Sequence, residues 1–419
     1  MSNAQSQSQP QHDARPPHEI LDTDETTCLV VGGGPAGAVL SYMLARKNIP
    51  VTLLESHQDF DRDFRGDTLH PSILEIMDEL GLAERLLQLP HTKLSRMVAQ
   101  TPAGMIQVTD LSHLKTKFPF ITFMPQARFL DFMTDEAQRL PSFRLVMGAR
   151  VEELIEENGV ARGVRYRSRE GWHEVRARLT VGADGRFSRL RKLSGLDDHT
   201  VKASPPMDVL WLRLSRKPDD PHGLMGRFGQ GHLLIELDRG EQWQIGFIIP
   251  KGSYQQLHSA GIETLRQEIV KTAPELQDRV AELKDWTQVS LLSVEADRLV
   301  RWYRPGLLLI GDAAHVMSPA GGNGINYAVA DAVAAANVLG EPLKTGHVST
   351  DDLARVQRQR ERPTRIIQAI VSVVQDRFIT QALDANQSFN VPPVVRWPLL
   401  SNLIARLIGF GIAPVHVKE

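Results

Sequence analysis

One cysteine stands in 419 residues, Cys28, so no intramolecular disulfide can form. That excludes a disulfide scaffold and suits a reducing cytoplasm, where the protein is expected. Cys28 lies inside an apolar stretch and reads as packing, because a reactive thiol needs an exposed, electropositive setting. No run of 18 apolar residues occurs, so no membrane-spanning helix is expected. Nor is there an excess of charge. Lys and Arg number 48 against 50 Asp and Glu, a net of −2, so nothing draws the chain to nucleic acid. No metal site is expected either. Residues 1–25 are polar, lack the apolar core of a signal peptide, and read as a disordered tail. With 42% hydrophobic and 23% charged residues the rest is globular, and its length calls for two or three domains.

The chain is organised around residues 28–37. An apolar strand, Cys28-Leu29-Val30-Val31, meets Gly32, Gly34 and Gly37 in G-x-G-x-x-G spacing, and a helical stretch follows. Gly32 lets the chain turn out of the strand, Gly34 lets backbone approach a pyrophosphate, and Gly37 lets helix pack on sheet. Pro35 and Ala36 sit at the helix start, whose N–H groups and dipole favour phosphate charge. Residues 51–54 form a second buried strand ending at Glu55, 18 residues after Gly37, where an acid can accept hydrogen bonds from an adenosine ribose. The sequence therefore predicts a βαβ dinucleotide-binding unit.

Residues 64–71 form a polar turn that contains Arg65 and His70, and an amphipathic helix follows, stopped at Gly81. Arg65 could reach a pyrophosphate or an aromatic ring system, or be a surface arginine. Residues 95–125 alternate loosely as strands, and Gln126 opens another helix. Residues 144–182 are β-rich, with Asn158-Gly159 as a turn, and end at Asp184-Gly185, the carboxyl end of a strand, where open α/β sheets bind ligands. Residues 205–250 carry three strands of an antiparallel sheet, one face of which could wall a substrate pocket or simply form a core. Trp211, Arg213 and Phe247 are the substrate candidates there. A buried strand over 307–310 ends at Gly311-Asp312. The glycine-rich loop 319–324 then starts a helix over 325–339, closed by Gly340. Asp312 alone could be a helix cap. Two amphipathic helices near the C-terminus are expected to pack on the body rather than on a membrane surface, since a basic face is missing.

Three signals stand in order: Gly32-x-Gly34-x-x-Gly37 with Glu55, Asp184-Gly185, and Gly311-Asp312. From about residue 27 to 340 the chain resembles the flavoprotein aromatic hydroxylases, the single-component FAD monooxygenases related to para-hydroxybenzoate hydroxylase. The resemblance implies an α/β fold. It has a Rossmann-like FAD-binding domain (residues 26–95, 120–200 and 285–360), an inserted antiparallel substrate sheet (96–119 and 201–284) and C-terminal helices (361–419). It implies FAD held by Gly32, Gly34, Pro35, Ala36 and Gly37 at the diphosphate and by Glu55 at the ribose. Arg65 and Gln126 resemble the family's flavin and ribityl contacts. Asp184 would lie on the path to FAD and the nicotinamide cofactor, and Asp312 on the ribityl chain. Gly322, Gly324, Ile325 and Asn326 would line the pyrimidine edge of the flavin, with Pro319 at its reacting face. NADH or NADPH would reduce FAD, and molecular oxygen would form a C4a-hydroperoxide that hydroxylates an apolar aromatic or polycyclic small molecule. His70 is a conceivable base for a phenolic substrate, or a structural histidine. The enzyme would be a monomer or homodimer.

Three rivals share the FAD motifs or the cofactor. A flavin halogenase carries W-x-W-x-I-P; here Ile249-Pro250 is preceded by Ile245 and Phe247 in place of both tryptophans, which argues against halogenation. A polyprenyl-lipid reductase would saturate double bonds without inserting oxygen. A non-catalytic FAD-binding protein would keep the cofactor for structure, and fold alone does not separate these chemistries.

Overall fold

A computed structural model describes residues 18–61, 66–102, 104–221, 223–229, 231–384, 386 and 398–418. Arg65 and residues 1–17 lie outside them. The central strand runs Ile20–Val31. The expectation of a disordered tail through residue 25 is therefore corrected for residues 20–25, which form the start of this strand. Residues 20–25 pair with the start of Trp172–Gly182, so their backbone is satisfied by a neighbouring strand despite polar side chains.

Five parallel strands lie in the order Phe143–Met147, Val51–Glu55, Ile20–Val31, Trp172–Gly182, Leu307–Leu309. The chain leaves Ile20–Val31 first toward one side and later toward the other, so strand order reverses beside it. In register, Val31 lies beside both Leu54 and Gly182, and Gly182 beside Leu309. The turns after all four strands thus emerge at one edge, where a doubly wound sheet binds its ligand. Arg150–Glu157 and Val160–Arg167 extend the sheet as an antiparallel hairpin, turned by Asn158 and Gly159, both with positive φ.

The helix Pro35–Arg46 is buried over nearly its whole length, between this sheet and the helix Gly324–Thr345. A helix buried all round needs apolar residues all round, which its sequence supplies. The second helix does not stop at Gly340. It runs on to Gly346, which has the left-handed cap conformation (φ +78°), while Gly340 packs against the Lys47 side chain inside the helix.

The second sheet has seven strands, in the order Ser290–Leu292, Met207–Ser215, Gln242–Pro250, His232–Asp238, Leu224–Gly229, Arg96–Thr101, Gly104–Asp110. It departs from the expected antiparallel pattern at one pair: Leu224–Gly229 and Arg96–Thr101 are parallel. These two strands are far apart in the chain, so no hairpin turn dictates their direction. Its two faces differ. Leu210, Leu212, Ile245 and Phe247 pack on Leu265 and Ile269 of the helix Ile262–Thr272. Trp211, Leu233, Ile235 and Ile248 share a cluster with Ala320, Phe378 and Ile379. Phe247 is cross-strand from Leu210, while Trp211 faces Gly246 and Arg213 faces Gln244. The expectation that Trp211, Arg213 and Phe247 line one pocket is therefore corrected. Period-two alternation puts Phe247 on the far face, in a structural core.

The helix Thr350–Val374 continues through a π-helical turn, Gln375–Ile379, into Thr380–Leu383; the chain closes with the helix Pro398–Phe410. On the first, Ile367 is buried but Ile366, Val373 and Val374 are exposed. The last packs on the body as expected: Ala405 is buried and Ile408 joins a cluster with Leu111 and Ile121, although Leu403 is 62% exposed. Among the described residues no helix is long and apolar enough to cross a membrane.

Candidate active site

The three motifs meet at the carboxyl edge of the parallel sheet. A Cβ on Gly32 would lie 2.4 Å from the Ala183 carbonyl oxygen and 2.7 Å from Asp184 Cα, so the first motif abuts the second. A Cβ on Gly311 would lie 3.3 Å from Ala36 Cβ and 3.5 Å from Ala328 Cβ, so the third motif is wedged between the two buried helices. Gly37 touches Gly32, where a Cβ would stand 1.9 Å from its carbonyl oxygen. Gly34 faces open space and is the N-cap of Pro35–Arg46, with no side chain capping that helix.

Glu55 is buried. Its Oε2 accepts from the Gly33 N–H at 2.9 Å, and its Oε1 accepts from the His57 N–H at 3.0 Å and lies 2.7 Å from His57 Nδ1. It braces the glycine turn. Asp184 accepts from Ser188 Oγ and from the backbone N–H groups of Arg189 and Leu190, so its carboxylate ties down the turn into the next helix. Burial pushes its pKa up against those hydrogen bonds.

Asp312 sits half-buried in the short turn Gly311–Ala313. That turn is held by a residue the sequence reading missed. Asp331, fully buried on Gly324–Thr345, accepts from the Gly311 N–H at 3.0 Å and from Arg360 Nε at 2.8 Å, and lies 2.6 Å from His315 Nε2. Burial opposes its ionisation, but His315 and Arg360 hold its carboxyl below the usual carboxylate range. A lone acid inside Ala328-Val329-Ala330-Asp331-Ala332-Val333 was the available signal. This partner fixes the His315 ring.

The loop before Gly324–Thr345 is tight: the Gly322 N–H donates to the Pro319 carbonyl at 3.0 Å, and Pro319 is half-buried. Gln375 Nε2 donates to Ser318 Oγ at 2.7 Å and ties the loop to the π-helical turn. No side chain caps the helix at Asn323, and the position a Cβ would take on Gly324 is open. Ile325 and Asn326 are buried in its first turn; Ile325 reaches Gly66, just past the Arg65 segment. The side-chain oxygens of Asn323 and Asn326 are buried without hydrogen-bond partners.

His70 is buried beside this loop, its Nε2 3.5 Å from where a Gly322 Cβ would be. Its Nδ1 is 2.6 Å from the Ile408 carbonyl, which fixes the proton on Nδ1. Burial lowers its pKa to about 4, outweighing that bond. Trp211 faces the same cluster as Ala320, with Gly246 beneath its ring, and its indole Nε1 is buried without a partner. Gln126 opens the helix Gln126–Gln138 and donates its N–H to Asp67 at 3.1 Å; with Arg213 it lines a cavity of about 230 Å³.

These residues fit FAD. Two uncapped helix N-termini converge, Gly34 and Gly324 leave open cradles, and the orphaned Asn323 and Asn326 oxygens await donors. Among the described residues no group of three metal-ligating side chains exists.

A profile of the FAD binding domain family matches residues 25–370. The chain is 35% identical to a 6-methylpretetramide 4-monooxygenase of Streptomyces rimosus over 97% of its own length and 96% of the relative's. Among solved structures it is similar to PqsL of P. aeruginosa in complex with 2-aminobenzoylacetate (TM-score 0.74, 20% identity, 86% of this chain and 98% of that one). It is also similar to OxyS anhydrotetracycline hydroxylase from Streptomyces rimosus (TM-score 0.71, 22% identity, 92% of this chain and 76% of that one).

Proposed function

The chain belongs to the family of FAD-binding-domain monooxygenases, and from that premise we propose that it hydroxylates an apolar aromatic or polycyclic small molecule, using molecular oxygen and NADH or NADPH. The observation that carries this is the meeting of two uncapped helix starts with a sheet face bearing Trp211 and its unpartnered indole N–H. The identity to a 6-methylpretetramide 4-monooxygenase supports a polycyclic substrate. We read residues 26–95, 120–200 and 285–360 as the FAD-binding domain and 96–119 with 201–284 as the substrate sheet. A monomer or homodimer in a reducing cytoplasm suits the single cysteine, whose thiol burial pushes to about 12.

FAD, when bound, supplies the electron transfer and oxygen activation. The protein's part is binding, orientation and exclusion of water. Gly32, Gly34, Pro35, Ala36 and Gly37 would cradle the diphosphate, and Glu55 would accept from the ribose. Arg65 would contact the flavin and Gln126 and Asp312 would hold the ribityl side, with Asp184 bracing the floor. Backbone N–H groups at Gly324, Ile325 and Asn326 would stabilise negative charge at the pyrimidine edge, which Gly322 would line. Pro319 would shape the reacting side, and Trp211 would donate to a substrate oxygen. His70, neutral at pH 7 with its proton turned to Ile408, offers Nε2 as an acceptor that orients a hydroxyl, and its low pKa suits that role better than proton storage. Ile245 and Phe247, at the halogenase tryptophan positions, are buried on the face away from the loop, which weighs further against halogenation.

The test is turnover of polycyclic phenols under ¹⁸O₂, with the product mass-analysed. One labelled oxygen gained, with NAD(P)H consumption rising on substrate addition, is the expected result. Chlorine or bromine in the product, or two hydrogens and no oxygen, would replace this reading with halogenation or lipid reduction.

A further inference from the structure

We propose that the π-helical turn Gln375–Ile379 is the end stop of the substrate site and holds the loop beside it: Phe378 limits how far a fused-ring substrate slides along the second sheet, and Gln375 positions Pro319. This rests on the FAD monooxygenase reading above. Buried positions follow the helix at Ile367, Val371, Gln375 and Ile379, each four residues on. In a regular α-helix every step of four drifts by about 40°, so this spacing would carry Gln375 and Ile379 round toward solvent. A π turn takes one more residue per hydrogen-bonded ring and absorbs the drift, and such turns are frequent at functional sites. Both side chains stay inward, Gln375 at 3% exposure and Ile379 at 8%.

Gln375 acts on the loop. Its Nε2 donates to Ser318 Oγ at 2.7 Å, and the same oxygen accepts from the Ala320 N–H at 3.4 Å. One buried carboxamide thus fastens both residues that flank Pro319. Ser318 is buried too, so solvent does not replace that donor. Phe378 and Ile379 reach the sheet instead. They share an apolar cluster with Ala320, Trp211 and Ile235, and Thr380–Leu383 lies against the strand His232–Asp238. Trp211 and Ile235 belong at the same time to the cluster of Leu111, Ile121 and Ile408. The strip of sheet under the site is therefore bounded at both ends, by the π turn and by the closing helix, with Trp211 between them. Ala320 puts the first of these ends beside the loop that carries Pro319. A flat ring system laid on Trp211 meets Phe378 with its edge, so the stop decides which carbon comes to rest at the reacting side.

Two probes of different width test the stop: 2-naphthol and 1-hydroxypyrene, whose own fluorescence reports binding to the FAD-loaded enzyme. Phe378→Ala should raise the affinity for 1-hydroxypyrene relative to 2-naphthol roughly tenfold, the scale of size discrimination in an apolar pocket. Phe378→Trp should move that ratio the other way. If Phe378→Ala fails to fold, Phe378→Leu takes its place with the same expected direction. Flavin reduction tests the loop without any substrate. Gln375→Leu should lower the ratio of reduced to oxidised flavin at a fixed potential roughly three- to tenfold, the scale of one hydrogen bond, with flavin content at the wild-type level. Ser318→Ala should do at least as much, and the double variant no more than Ser318→Ala, because Gln375 acts through that oxygen. If the wild type binds neither probe, if the affinity ratio stays unchanged, or if Gln375→Leu keeps the wild-type flavin potential, the inference fails. A yellow, oxygen-inserting enzyme that fails either arm sinks this inference alone, whereas a chain that takes up no FAD sinks the functional reading itself.

Discussion

Asp312 and His70 show how much a single side chain can carry. Asp312 stands at the end of a buried strand in a turn that Asp331 holds from behind. If it receives the ribityl chain, Asp312→Ala should weaken FAD binding by about 1–3 kcal/mol, the scale for losing a charged hydrogen-bond partner. Fluorescence titration of the apoprotein with FAD measures this, and an unchanged affinity would leave Asp312 a structural acid. His70 makes a prediction about pH. Its folded pKa is about 4, below the ordinary 6.5, so below pH 6.5 the unfolded chain takes up a proton that the folded one refuses. Its contribution to stability is intact above pH 6.5, is lost as pH falls to 4, and amounts to at most about 3 kcal/mol. Urea unfolding at stepped pH should show wild type losing more stability over this window than His70→Gln. Parallel curves would mean that His70 titrates normally.

Among the elements, two glycines on the buried helices should behave oppositely. Gly37 lies where a Cβ would stand 1.9 Å from a backbone oxygen, with nothing flexible to move aside. Gly37→Ala should cost at least 2–3 kcal/mol, roughly the upper range for ordinary substitutions, and should abolish FAD binding. Gly340 is inside a helix, and its Cβ would meet only Lys47 Cδ at 3.3 Å, the middle of a flexible side chain. Gly340→Ala should stabilise the fold by about 0.5–1 kcal/mol, because glycine in a helix interior carries that entropic penalty. Thermal unfolding of the two variants reads both signs, and a destabilised Gly340→Ala would show that Lys47 cannot yield. Backbone conformation accounts for the helix end. Gly340 resembles a stop in the sequence, but it does not take the left-handed conformation, and the helix runs on to Gly346, which does.

Across the whole molecule, the closing helix Pro398–Phe410 joins the site to distant parts of the chain. It supplies the Ile408 carbonyl to His70, and Ser401 accepts from Thr109. The segment after it is tied by Asn337 to His416 and by Glu79 to Val417. Deleting residues 398–419 should leave FAD bound, since the glycine turns and Glu55 lie elsewhere, but should open the loop 319–326 to water. More NAD(P)H should then be lost as hydrogen peroxide per product formed, because a wet site wastes activated oxygen. Unchanged coupling in the truncated enzyme would make this helix a stabilising element only.

The nucleotide-binding half was legible in the sequence because its signals are local. A buried strand, a glycine turn and an acid at fixed spacing specify a backbone path whatever surrounds it, and Gly32, Glu55 and Gly311 stand where that path requires. The strand pairing at Asn158-Gly159 was equally local. What needed the tertiary structure was everything set by contacts between distant segments. Alternation along Gln242–Pro250 defines two faces, but only packing against Leu265 and Ile269 makes Phe247 core and leaves Trp211 toward Ala320. Asp331 and Arg360 lie 29 residues apart and meet only when two helices pack. Arg239 and Asp67 are 172 residues apart. Burial converts such pairs from surface charges into fixed, directional groups, and burial is a property of the folded chain rather than of any stretch of its sequence.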